Sequence, residues 1–200
     1  MSIIDLGKQS LIYGAGHVLA RLITFLLLPL YTHTFTQEEY GALSLAYAFM
    51  GFALILYRYG MDTAMMKYSV QKEGPERKKY ITLIIVTQFI TSFLFTFIIY
   101  FTRRSTAEYV LGTYRPDWIP YLAVILFFDA LWNLPLLILR SEEKAIPYIS
   151  LSLLNVILTM TLNIMFVVYW EQGIEGVFRA NIIASAVSYT HLTLPTTRLV

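Results

Sequence analysis

Apolar residues run in long blocks separated by short polar loops: Leu11–Tyr31, Tyr40–Gly60, Ile81–Phe101, Ile119–Leu139, Ile146–Tyr169, and a stretch opening at Ile174. Each complete block holds about 20 residues, the length a helix needs to cross a hydrocarbon layer about 30 Å thick. No water in that layer satisfies backbone polar groups, so such segments are expected to be helical. The expected fold class is all-α, a polytopic transmembrane helical bundle of about five and a half spans. Tyr31, Tyr40, Tyr57, Tyr80, Tyr100, Trp118, Tyr148, Tyr169 and Trp170 fall at the span edges, where amphipathic rings favour the membrane interface.

Charge placement gives an orientation. The first loop, 32–39, carries Glu38 and Glu39 without Lys or Arg, whereas the next connection carries Arg58, Lys67, Lys72, Arg77, Lys78 and Lys79. Arg140 and Lys144 follow span four, and Lys8 precedes span one. A cytoplasmic N-terminus puts nine basic loop residues inside and three (Arg103, Arg104 and Arg115) outside, as the positive-inside rule asks. The basic 69–80 segment suits that topology, and it also suits recruitment of an anionic lipid carrier.

Composition agrees. The chain is 57% hydrophobic and 14% charged, against roughly a quarter charged in soluble domains. Its net charge of +2 says little beside where the charges sit. Asp5 precedes an apolar run too long for a signal peptide and without a small-residue cleavage site, so span one is expected to be retained. No cysteine is present, which excludes disulfides and thiol chemistry. Walker, HExxH, G-x-S-x-G and paired metal-ligand patterns are absent from the sequence. The reading is a membrane transporter rather than an enzyme, with no metal and no nucleic-acid partner. Glu142 and Glu143, beside Arg140 and Lys144, read as a solvated turn.

Candidate site residues are polar groups within the spans. A mid-membrane charge costs about 2.5–3.5 kcal/mol on the insertion scale and so calls for a partner or a wet cavity. Arg21 and Asp129 sit at the midpoints of spans one and four and could pair with each other. Either they form a structural ion pair or they serve transport. Gly14, His17, Arg21 and Thr24 share a helix face, as do Ser44, Tyr47, Gly51, Arg58 and Asp62, and Ser152, Asn155, Thr159 and Asn163. Asn133 lies one turn beyond Asp129, and span three offers Gln88, Thr91 and Ser92. Such stripes enclose a polar cavity or glue helices together. Pro29 and Pro135 withdraw donors from the carbonyls of Phe25 and Leu131, giving a hinge or a static kink at each.

Residues 187–196 read VSYTHLTLPT, which resembles one translation frame of a transposon-end sequencing adapter. Ala186 is therefore expected to be the last native residue. Residues 1–186 would form the N-terminal bundle, with a truncated sixth helix from 174 to 186, and 187–200 would be adapter sequence.

Three stretches together carry a family resemblance: LIYGAGHVLARLITFLLLPLYTHTFTQEEYGALSL (11–45), YRYGMDTAMMKYS (57–69), and LRSEEKAIPYISLSLLNVILTMTLNIMFVV (139–168) followed by GIEGV. In order, they resemble the polysaccharide flippases of the multidrug/oligosaccharidyl-lipid/polysaccharide exporter superfamily, specifically the O-antigen-type group. The resemblance covers essentially 1–186. It implies the first lobe of a two-bundle MATE-like fold whose second bundle this chain lacks. It further implies translocation of undecaprenyl-pyrophosphate-linked oligosaccharide across the bacterial inner membrane for cell-surface polysaccharide such as lipopolysaccharide, alongside polymerase and assembly proteins. On that basis Arg21 and Arg58 would hold the pyrophosphate, with His17, Tyr47, Asn133 and Asn155 lining the cavity. Asp129 and Asp62 would couple transport to H⁺ or Na⁺, with no other cofactor. The alternatives are a drug/cation antiporter of the same superfamily, a membrane glycosyltransferase or polymerase acting on lipid-linked sugars, and a non-transporting scaffold. Arg21 and Arg58 argue against the first, the short loops against the second, and the cost of buried charge against the third.

Overall fold

The computed structural model describes residues 3–112 and 115–196, with side chains described for 11–112 and 115–191. The elements are α1 (Ile3–Phe25), α2 (Leu27–Thr34), α3 (Gln37–Arg58), α4 (Met61–Gln71), α5 (Gly74–Phe101), α6 (Arg103–Thr106), α7 (Trp118–Ser141), α8 (Ala145–Asn163) and α9 (Gly173–Thr196). Wider π turns extend α6 over Ala107–Leu111 and α8 over Ile164–Tyr169. Among the described residues, five helical stretches are long and apolar enough to cross a membrane.

Local sequence explains the breaks. Pro29 has no N–H to return to the Phe25 carbonyl, and the helix divides at Leu26. There the Leu26 amide bonds both Leu22 O (3.3 Å) and Ile23 O (3.1 Å). α3 opens with a reciprocal cap: Thr36 Oγ1 accepts from the Glu39 amide at 3.3 Å, and Glu39 Oε2 accepts from the Thr36 amide at 2.9 Å. Two amides that the helix leaves without a partner are thus satisfied.

α7 is the hub. Of its most apolar 18-residue window 61% is buried, against 11–22% in the other four spans. Ile119, Leu122, Leu126 and Leu131 are closed from solvent, and α7 packs against α3, α4, α5 and α9. α8 lies against α9 and carries α1 on its other side. That last contact needs a glycine: a Cβ at Gly16 would stand 2.7 Å from Ile149 Cγ2. Val18, Leu22, Phe52, Leu83 and Phe93 remain exposed on the outer helices, as expected where the surroundings are hydrocarbon or another helical bundle.

Three span boundaries differ from expectation. Span two does not run on to Asp62: Tyr59 (φ 25°) and Gly60 (φ 91°) take left-handed conformations that end α3, and Asp62 instead opens α4. A left-handed residue costs glycine little, which suits Gly60 to the break. Span three begins earlier than 81: Pro75 in the first turn starts α5 at Gly74, so Lys78 and Lys79 are helical rather than in a loop. Span five ends in a π turn. The last helix, α9, spans Gly173–Thr196 and so includes residues on both sides of Ala186.

Candidate functional site

A cavity of about 440 Å³ lies between α1–α2, α3, α8 and α9. Its polar lining is Thr24, Tyr31, Tyr40, Ser44, Tyr47, Asn155, Thr159 and Asn181, set among Leu27, Leu28, Leu43 and Met160. No lining residue is acidic or basic. Tyr31 donates from its hydroxyl to Asn163 Oδ1 at 2.8 Å, and Asn181 donates to the Tyr47 hydroxyl at 3.2 Å. Hydroxyls and amides beside aromatic rings match the alternating polar and apolar surface of a polyol, and hydrogen-bond it without demanding charge.

Asp129 is connected to this wall from α7. Its Oδ1 accepts from Ser185 Oγ at 2.8 Å, and Ser185 lies one turn beyond Asn181 on α9. The suggested pair with Arg21 is not formed. α1 packs on α8 instead of α7, and Arg21 is exposed with no hydrogen bond or ion pair to any described residue. Arg21 does lie one turn from the cavity-lining Thr24 on the same face. His17, a further turn back, is also exposed, its ring 6.1 Å from that of Tyr148.

A second polar group forms where α3 breaks. Arg58 Nη1 lies 3.5 Å from Asp62 Oδ2, and Asn133 Nδ2 donates to Asp62 Oδ1 at 2.8 Å. Both oxygens of Asp62 are thereby engaged, while the buried Nε of Arg58 has no partner. Both side chains of the ion pair are 32% exposed. The end of α3 is finished from α5, where Gln88 donates to Tyr57 O and to Ser92 Oγ, each at 2.7 Å.

The eight proposed site residues therefore separate. Tyr47 and Asn155 line the cavity; Asn155 Nδ2 also reaches Ala184 O at 3.3 Å. Arg58, Asp62 and Asn133 form the group at the break, Asp129 stands behind the cavity wall, and Arg21 and His17 occupy the open face of α1. The Asn155 stripe is partly glue and partly wall: Ser152 bonds its own helix at Tyr148 O, whereas Asn163 binds Tyr31 across the bundle. Asn181 and Ser185 were not singled out from sequence, and Tyr31 was read only as an interface aromatic. The polar pair at 181 and 185, one turn apart, is the signal that was there to be used.

Nor is the α7–α8 turn merely solvated. Arg77 at the start of α5 donates to Glu142 Oε1 at 2.8 Å and to Ser69 O at 3.0 Å, while Lys144 Nζ stands 2.8 Å from Glu142 Oε2. Burial alone would raise the Glu142 carboxyl; Lys144 and Arg77 outweigh it and hold it below the ordinary carboxylate range. The clamp ties α4, α5, α7 and α8 together at one end of the bundle.

Comparison with known proteins gives the frame for these groups. The model of a family described as "Polysaccharide biosynthesis protein" matches residues 6–194. No curated protein sequence matches the chain. Among solved structures, a MATE in complex with MaD3S is similar at TM-score 0.68 and 20% identity, over 95% of this chain and 44% of that one. An outward-facing multidrug resistance MATE family transporter of the MOP superfamily is similar at 0.67 and 19%, over 95% and 43%. A MOP superfamily transporter from Pyrococcus furiosus with a binding pocket of reverse polarity is similar at 0.66 and 18%, over 95% and 43%. The bundle thus has the fold of one lobe of such proteins, and the chain spans less than half their length.

Proposed function

The chain belongs to the polysaccharide biosynthesis protein family, and from that premise we propose that it is one lobe of a flippase for a lipid-linked oligosaccharide. The substrate class is an undecaprenyl-pyrophosphate-linked glycan, moved across a bacterial inner membrane in which the N-terminus is cytoplasmic. The observation that carries this reading is the pairing of an uncharged, hydroxyl- and amide-lined cavity with a mid-span cation, Arg21, unpaired among the described residues and one turn from the cavity wall. Glycan and phosphate need those two surfaces side by side. A guanidinium presents a fork of donors to phosphate oxygens. Arg58, with an unspent Nε donor, is the second phosphate contact, and His17 extends the α1 face. Tyr47 and Asn155 contact sugar hydroxyls, and Asn133 holds Asp62 toward Arg58.

Asp129 is the coupling carboxylate: H⁺ or Na⁺ at its side chain would alter the Ser185 bond and, through α9, the cavity wall. Asp62 is the second candidate, coupled through Arg58. An antiporter for amphipathic cations would need negative charge in the cavity, and the lining has none.

The test is flipping of a fluorescent pyrophosphate-linked glycan in proteoliposomes of the complete two-lobed protein. Arg21→Gln and Arg58→Gln are each expected to slow flipping at least tenfold, and Asp129→Asn to abolish its dependence on an ion gradient. Wild-type rates in both arginine variants refute the phosphate assignment. Gradient-dependent flipping in Asp129→Asn refutes the coupling assignment.

A further inference from the structure

The end of the bundle that carries the α4–α5 turn shows a second arrangement, independent of the cavity. α5 has 28 residues, about 42 Å of helix at 1.5 Å per residue, whereas the hydrocarbon layer takes about 30 Å. Roughly its first two turns therefore stand at headgroup height. Leu83, Val86, Ile90 and Phe93 form an exposed apolar stripe on α5, the face a lipid chain would cover. Traced toward the N-terminus at helical spacing, that stripe leads to Lys79 and Glu76, with Lys72 in the turn before.

The segment from Lys67 to Tyr80 contains five basic residues and two acidic ones. Of the basic residues, Arg77 is held by Glu142 and faces inward. Of the lysines, Lys72 also meets a carboxylate, its Nζ 2.9 Å from Glu76 Oε2, and so is shared between that group and the ring of Tyr80. Tyr68 and Tyr80 stack at 4.5 Å with their planes 4° apart, fastening α4 to α5. Lys67 Nζ lies 5.6 Å from the Tyr68 ring centroid and Lys72 Nζ 5.5 Å from that of Tyr80. Lys67 and Lys79 are both exposed. Two rings of the type that favours the interface thus present ammonium groups at the foot of a lipid-facing stripe.

We propose that Lys67, Lys72 and Lys79, mounted on the Tyr68–Tyr80 stack, form a docking surface for the phosphate groups of anionic phospholipids in the adjoining leaflet. The occupant is an ordinary anionic phospholipid such as phosphatidylglycerol, not the glycan carrier. Charge complementarity selects it over a zwitterionic lipid. The apolar stripe above the lysines takes its acyl chains.

Native mass spectrometry of the chain titrated separately with phosphatidylglycerol, phosphatidylcholine or a polyprenyl pyrophosphate tests this. Retention of phosphatidylglycerol over phosphatidylcholine is expected, falling about fivefold for each of Lys67→Gln, Lys72→Gln and Lys79→Gln. The double variant Arg103→Gln/Arg104→Gln, at the opposite end, is expected to keep the preference. Because Lys67 and Lys79 are exposed, unchanged thermal unfolding of their single variants separates lost binding from lost fold. Equal retention of the two lipids overturns the proposal, as does a preference that survives all three lysine substitutions. Retention of a polyprenyl pyrophosphate without phosphatidylglycerol also overturns it and assigns the surface to the carrier.

Discussion

Replacing Gln88 with leucine removes the donor that finishes α3. Gln88 is fully buried, and its amide serves Tyr57 O and Ser92 Oγ at 2.7 Å each. Tyr57 O is one of the last carbonyls of α3, which find no partner within their own helix, and the left-handed Tyr59–Gly60 step prevents the chain from supplying one. Hydrogen bonds between membrane helices average about 0.6 kcal/mol and reach about 1.7, while an orphaned buried carbonyl costs about 1–3 kcal/mol. In the other direction, leucine eliminates the Gln88 Oε1, which has no partner of its own, and adds apolar contact. The net expectation for Gln88→Leu is a loss of about 1–2 kcal/mol. The assay is denaturant-driven unfolding in micelles followed by the fluorescence of Trp118 and Trp132 on α7. Thr91→Val is the control, since Thr91 Oγ1 bonds only carbonyls of its own helix; it should shift stability by less than about 0.5 kcal/mol. Because Ser92 shares the network, Ser92→Ala should cost much less in the Gln88→Leu background than alone. An unmoved or raised midpoint in Gln88→Leu, or additive effects of the two changes, refutes the capping role.

Three further outcomes follow from packing and charge. Glu142 titrates below its unfolded value, so its stabilising contribution is complete above about pH 4.3 and is lost as pH falls through the lower folded value. Unfolding midpoints of wild type and Glu142→Gln should therefore differ by about 1–2 kcal/mol at pH 7 and converge as the pH is lowered through the folded value; a constant difference is the contrary result. Gly16→Val would push α1 off Ile149 and is expected to cost about 1–3 kcal/mol in the same unfolding assay, a neutral result excluding the close approach. Sequencing of unfragmented DNA across codon 186 is expected to replace 187–200 with an apolar continuation; finding VSYTHLTLPT there refutes the adapter reading.

Length and hydropathy made the spans readable, because the bilayer imposes one length and one conformation on any apolar segment. The break at Leu26 was readable only in part: Pro29 and Pro135 both lack a donor, yet α7 runs unbroken past Pro135 while the first span divides at Leu26. The break at Tyr59–Gly60 was not readable: a single glycine in a membrane helix is ordinary, and only the left-handed pair with Gln88 waiting across the gap gives it meaning. Among the site residues, one-helix faces were legible and cross-helix partners were not. The link from Arg58 to Asp62 survived because the residues are near in sequence even across a break. The one suggested from Arg21 to Asp129 failed because charge complementarity says nothing about which helix α1 rests on. Asn163, Asn181 and Ser185 gained their roles from partners on α2, α3 and α7 that no periodicity reveals.

The π turn at Ile164–Tyr169 changes the angular phase of the chain. An α-helix advances about 100° per residue, so one residue more than the α repeat needs sets everything after it back by about that angle. The Trp170 amide returns to Met165 O and the Gln172 amide to Phe166 O, both at 3.0 Å, and Trp170 stacks on Phe166 at 5.0 Å. Upstream of that point, Asn155, Thr159 and Asn163 hold one register; downstream, the connection into α9 is aimed by another. Removing a single residue there would preserve every side chain of the cavity wall on α8 and still turn Gly173, and the helix it opens, away from Asp129.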